Sequence, residues 1–148
     1  MHVIKKYQVE LVRESSKKYE VDRKVNSPEK AYQAFEVIFN LSSRPAESFV
    51  LLGLDAKLGI VGAFEVSTGA INYAVADARA IFQRLFLCNA HSFMVAHNHP
   101  SGDCQPSMED NRLTLNLKGA GKLLGIELRE HIVIGDDSYY SYAEEGKL

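Results

Sequence analysis

Short apolar runs with strand character alternate with segments of helical periodicity along this 148-residue chain. That alternation restricts the fold to helices layered on a sheet, an α/β or α+β arrangement. Residues 7–13 place Val9 and Leu11 on one face at period two, which predicts an amphipathic strand. After a polar connector, Ser27 and Pro28 read as an N-cap followed by proline at the first helical position. Ala31, Phe35, Ile38 and Phe39 then recur at helical spacing to about Asn40. Residues 49–54 and 58–66 are apolar runs joined by residues 55–57, which predicts a hairpin of central, buried strands broken at residues 67–69. Asp77 should open a second helix, with Ile81, Phe82, Leu85 and Phe86 on its apolar face and Asn89 at its end. Residues 92–96 read as a buried strand, and a longer helix should begin at Ser107 and stop near Gly125. Residues 126–134 and 139–141 close the pattern as a strand pair. No internal repeat or low-complexity tract interrupts it.

A chain of this size, 46% apolar and 24% charged, can bury roughly two-thirds of its unfolded surface. Its core therefore needs no disulfide or structural metal. The formal charge is -2, without the excess of Lys and Arg that duplex-DNA binding leaves on a domain. Residues 1–30 hold eight basic residues against five acidic, while residues 31–148 hold nine against fourteen. The basic excess is thus local, and its mixed signs suit a solvated surface. No stretch has the length of a signal-peptide core or a membrane span. Cys88 and Cys104 form neither a CxxC pair nor a disulfide framework, so reduced thiols in a cytoplasmic protein are expected.

The segment that carries chemistry is His97-Asn98-His99-Pro100-Ser101-Gly102, followed by Ser107-Met108-Glu109-Asp110. Residues two apart project from the same side of an extended chain, so the two imidazoles can converge on one cation. Asp110 would return on the first helical turn after the loop. Two nitrogens and one carboxylate oxygen leave a fourth tetrahedral position open, as catalytic zinc requires. Taken singly, these residues also read as loop histidines and as a helix cap with an acid at the third helical position. The combined spacing, four residue types across fourteen positions, is much more specific.

That spacing resembles the JAMM signature of JAB/MPN metalloprotease-type domains, and residues 97–103 resemble their RadC branch. Glu65-Val66-Ser67-Thr68-Gly69, Arg79-Ala80-Ile81-Phe82 and Glu130-His131-Ile132-Val133-Ile134-Gly135 are similar to further segments of that family. The resemblance covers about residues 25–148, with residues 1–24 a strand and connector that belong to the domain or pack on it. It implies a three-layer mixed sheet with flanking helices, of cytidine-deaminase-like architecture. It also implies Zn2+ held by His97, His99 and Asp110, with Glu65 as general acid/base and Ser107 as hydrogen-bond donor to a developing oxyanion. The activity implied is hydrolysis of an amide bond, peptide or isopeptide, in a polypeptide substrate, through a metal-activated water.

Two other classes stand beside this one. The family carries a DNA-repair label, so a repair or mobile-element accessory that binds nucleic acid or protein is the alternative. The acidic balance counts against it, as does the lack of room ahead of residue 25 for the helix-hairpin-helix region of larger members. A catalytically silent scaffold is the third class, and the complete set of candidate residues counts against it. Deaminases need His-x-Glu and Pro-Cys-x-x-Cys, which this chain lacks. The HNH nucleases disperse their histidines, and a His-x-His-x-Asp-His site fails at Ser101 and Gly102. His131 reads as a structural histidine, Cys104 as an inert loop thiol, and Tyr139, Tyr140 and Tyr142 as residues of a terminal strand. His2 and His91 show no partner pattern, and the oligomeric state, a homodimer included, is left open.

Overall fold

The structure, a computed structural model, describes residues 1–68 and 78–148. Helix α1, Pro28–Phe39, starts where the Ser27 hydroxyl accepts the Lys30 N–H at 3.2 Å, and it ends at Asn40 in a left-handed conformation. The hairpin of β1, Ser48–Leu54, and β2, Ile60–Thr68, follows. Next come α2, Ala78–Leu87, and β3, Ser92–Asn98. Helix α3, Met108–Leu124, β4, Glu127–Ile134, and β5, Tyr139–Ser141, complete the chain.

The strands form one mixed sheet in the order β2-β1-β3-β4-β5. Among the described residues, only β3 and β4 run parallel. A parallel pair needs a long crossover, which α3 provides. Period-two alternation sends Phe49, Leu51, Phe93 and Val95 to one face, where they pack with Ile81, Phe82 and Leu85 of α2 and Leu113 and Leu117 of α3. Val50, Leu52, Met94, Ala96, Ile132 and Ile134 take the opposite face, against Ala31, Ala34 and Phe35 of α1. Both faces of the central strands are covered, which is why β1 and β3 are continuous apolar runs. The three layers expected from the sequence are present.

Three expectations change. Residues 7–13 form no strand: among the described residues, 1–26 contain neither helix nor strand, and residues 1–20 are exposed throughout. A period-two face without a neighbouring strand has nothing to bury against. Val21 is the first residue to pack on the domain, and the Val25 N–H then reaches the Leu58 carbonyl at 3.0 Å. Second, β2 is an edge strand rather than a central one, with alternate residues exposed. Third, β2 runs from residue 60 through Ser67 and Thr68. The turn before it is longer than residues 55–57 because the Asp55 carboxylate accepts the N–H groups of both Lys57 and Gly59, with Leu58 left-handed between them. The expectations placed on Gly69 and Asp77 lie outside the described residues.

Among the described residues, no helix is long and apolar enough to cross a membrane. Residues 1–20 make no hydrogen bond or ion pair with the described remainder. Deleting them is therefore expected to leave unfolding free energy within about 0.5 kcal/mol of the full chain. A larger loss in denaturant titration would show that the segment is part of the folded domain.

Candidate metal centre

The site lies at the carboxyl end of β3. His97 shares the parity of Phe93 and Val95, so it faces the α2/α3 layer, where its ring stacks on Phe49 at 6.1 Å. Beyond the strand end, the His99 N–H bonds the Ile134 carbonyl at 2.8 Å and the Gly102 N–H bonds the His99 carbonyl at 3.0 Å, turning the loop back. Gly102, at φ 88°, supplies the left-handed residue that this turn demands. Opposite it, a side chain on Gly135 would collide with the Gly102 backbone.

The loop delivers the chain to the α3 N-terminus, where Ser107 and Asp110 form a reciprocal capping box. The Asp110 N–H donates to Ser107 Oγ at 3.1 Å, and the Ser107 N–H donates to Asp110 Oδ2 at 2.8 Å. The cap and the candidate site are one structure. It fixes Asp110 with Oδ2 3.2 Å from Nε2 of both His97 and His99, while the two Nε2 atoms are 3.1 Å apart. His97 and Asp110 are each 1% exposed and His99 is 14% exposed, so the cluster opens to solvent on the His99 side.

The donor set fits a metal ion. His99 Nδ1 sits 2.8 Å from the Asp103 carbonyl. A carbonyl can only accept, so Nδ1 carries a proton and Nε2 is the ring nitrogen turned inward to the cluster. Ligands of one tetrahedral ion at bond lengths of about 2.0–2.1 Å lie roughly 3.3–3.4 Å apart, close to the spacing observed. Burial works against ionisation of Asp110, but His97, His99 and the Ser107 N–H more than offset it and hold the carboxyl far below its usual range. Asp110 in turn raises the His99 imidazole against partial burial, with the Asp103 carbonyl and the charge of Glu47 adding to it.

His131 is not in the cluster of three but touches it from behind, with Nε2 2.9 Å from His97 Nδ1. It is fully buried, and burial, then His97, pushes its imidazole well below the ordinary value. Cys104 receives a hydrogen bond from Ser138 Oγ at 3.4 Å and lies outside the cluster.

Glu65 stands elsewhere. It pairs with Val50 across the β1–β2 ladder, while Val50 pairs with Ala96 on the other side. Two strand spacings, roughly 10 Å, therefore separate its backbone from β3. Its Oε1 accepts from Arg44 Nη1 at 2.5 Å and from the Thr68 hydroxyl. The Thr68 bond, and then Arg44, keep its carboxyl below the ordinary range against partial burial.

A second acid acts on the site, Glu47, whose charge helps to raise the His99 imidazole and which sequence reasoning passed over. The antiparallel register pairs Phe49 with His97, so Glu47, just ahead of β1, lies at the same end of the sheet as His99, just past β3. Asn98, 2% exposed, clamps the flanking chain. Its Oδ1 accepts the Ser48 N–H at 2.7 Å, and its Nδ2 donates to the Ala46 carbonyl at 3.1 Å. The available signal was an acid just ahead of the 49–54 run, readable only once that run is known to lie antiparallel to the strand ending in the histidines.

Two imidazoles and a carboxylate gathered at a strand end and a helix start make this a three-layer α/β domain with a group that could hold a metal ion. The chain belongs to the RadC-like JAB domain family, whose model matches residues 25–147. It is 38% identical over 127 residues to a UPF0758 protein of Methanosarcina mazei, covering 86% of this chain and 55% of that one. It is 38% identical over 147 residues to one of Paraburkholderia xenovorans, covering 96% and 57%. With one of Actinobacillus pleuropneumoniae the identity is 36% over 143 residues, covering 93% and 64%. The chain thus spans less than two thirds of the length of these relatives.

Proposed function

We propose that this chain is a zinc-dependent hydrolase of amide bonds, peptide or isopeptide. The observation that carries the reading is the convergence of His97 Nε2, His99 Nε2 and Asp110 Oδ2, with the charge of Glu47 acting on His99. These three residues would hold the ion and leave a position open toward solvent on the His99 side. Zinc bound there would polarise the substrate carbonyl and acidify a water.

The chain's own groups perform the remaining work. Glu47, held between the two backbone bonds of Asn98, takes a proton from the attacking water and returns it to the departing amine nitrogen. Water is thereby added across the C–N bond, leaving a carboxylate and an amine. Ser107 Oγ accepts the Asp110 N–H, so its own hydrogen is available for the negative charge that develops on the carbonyl oxygen. Glu65 and Arg44 act as a pair that ties β2 to the loop after α1.

The test is incubation of zinc-loaded protein with peptide and isopeptide-linked substrate sets in 18O-labelled water. Label in newly formed carboxyl termini, dependent on zinc, is the expected result. No cleavage in either set at full zinc loading would sink the hydrolase reading.

A further inference from the structure

The contact between His131 and His97 leads into a buried chain of hydrogen bonds whose direction can be worked out. Thr114 Oγ1 lies 2.7 Å from the Asp110 carbonyl and 2.7 Å from His131 Nδ1. A carbonyl has no hydrogen to give, so at that distance the threonine proton must point to Asp110. Thr114 Oγ1 is then the acceptor, and His131 Nδ1 carries a proton. His131 is 0% exposed and is enclosed by Tyr142, stacked at 4.8 Å, and by the edge of Phe49 at 6.0 Å. The Tyr142 hydroxyl is itself committed to Asn111 Oδ1 at 2.7 Å. A doubly protonated ring in that enclosure would be a buried charge with no carboxylate hydrogen-bonded to it. His131 is therefore neutral, with a bare Nε2 facing His97 Nδ1.

We propose that Thr114 and His131 form a relay that selects the Nδ1–H tautomer of His97 and so directs the bare Nε2 of His97 at the metal position. His131 is a positioning residue rather than a ligand. In its role the proposal rests on the metal reading above, although the tautomer itself does not. The two ligand histidines are set by different means: His99 by a loop carbonyl at the exposed side, His97 by a relay through the core. The far end of the relay is the backbone carbonyl of Asp110, so the helix turn that supplies the carboxylate also orients the first imidazole. Outer hydrogen-bond partners of this kind tune metal affinity by roughly 10–100-fold.

The deciding measurement is long-range 1H–15N correlation on metal-free, histidine-labelled wild-type protein at mildly alkaline pH. It should show a proton on Nδ1 of both His97 and His131 and none on His131 Nε2; a His97 ring without a proton on Nδ1 would overturn the relay. Zinc affinity by chelator competition gives the second readout. His131→Leu should weaken zinc binding by about 10–100-fold, with His97 shifting toward the Nε2–H form. His131→Gln, which restores an acceptor toward His97, should recover most of that loss. Thr114→Val keeps the ring and the side-chain shape, and should leave the His131 tautomer mixed and zinc binding intermediate. If folded His131→Leu or Thr114→Val protein binds zinc as wild type does, with the His97 tautomer unchanged, the relay is overturned. If wild type binds no zinc, the metal reading fails while the tautomer measurement still decides the relay.

Discussion

His97→Ala is expected to reduce bound zinc from about one ion per chain to near none after dialysis against buffer, measured by elemental analysis. Three ligands are the minimum for a catalytic zinc site. His97 is also held within the core, by Phe49 on one side and His131 on the other. The loss of affinity should exceed the roughly 10–100-fold that follows removal of an outer partner. Asp110→Asn should behave similarly, because the amide offers a weaker ligand. It also puts an N–H₂ or a neutral oxygen where the Ser107 N–H and both imidazoles now meet Oδ2. Zinc retained in His97→Ala at wild-type stoichiometry would remove this cluster from consideration as the metal centre.

The second large effect separates two acids. Glu47→Gln should leave zinc bound and lower turnover by about 10²–10⁴-fold, the usual contribution of a positioned general acid/base. Glu65→Gln should leave turnover near wild type and cost at most about 1 kcal/mol of stability, since its ion pair with Arg44 is partly exposed. The two variants carry the same chemical change eighteen residues apart, one just ahead of β1 and one in β2, so general effects of charge removal cancel in the comparison. The reverse outcome, turnover lost in Glu65→Gln and kept in Glu47→Gln, would return the proton-transfer role to Glu65.

The reason the two acids could not be told apart beforehand is instructive. Each flanks or lies in an apolar run, and nothing local says which run neighbours the histidines. Similarity to a family segment favoured Glu65, at the end of β2. Sheet order places β2 at the edge with β1 between it and β3, and antiparallel pairing brings the start of β1, rather than the end of β2, to the ends of β3. The same non-local fact explains the error at residues 7–13. Their alternation is genuine, but a strand exists only with a partner, and partnership is not a property of seven residues.

By contrast, what depends on contacts within a turn or two was legible. Ser27 and Pro28 mark the start of α1, Asn40 and Gly125 end α1 and α3 in left-handed conformations, and Ser107 caps α3. His97, His99 and Asp110 belong to this local class as well, because a strand end, a glycine-turned loop and one helical turn bring them together within fourteen residues. The sequence by itself therefore determined the cluster of His97, His99 and Asp110 that could hold a metal ion, the alternation of elements and the family. Only the tertiary structure decided that the charge of Glu47 acts on His99, that β2 is an edge, and that His131 reaches His97 from behind. Each of these depends on strand order and register, which are set by packing between segments distant in the chain rather than by the conformational preferences of any one of them.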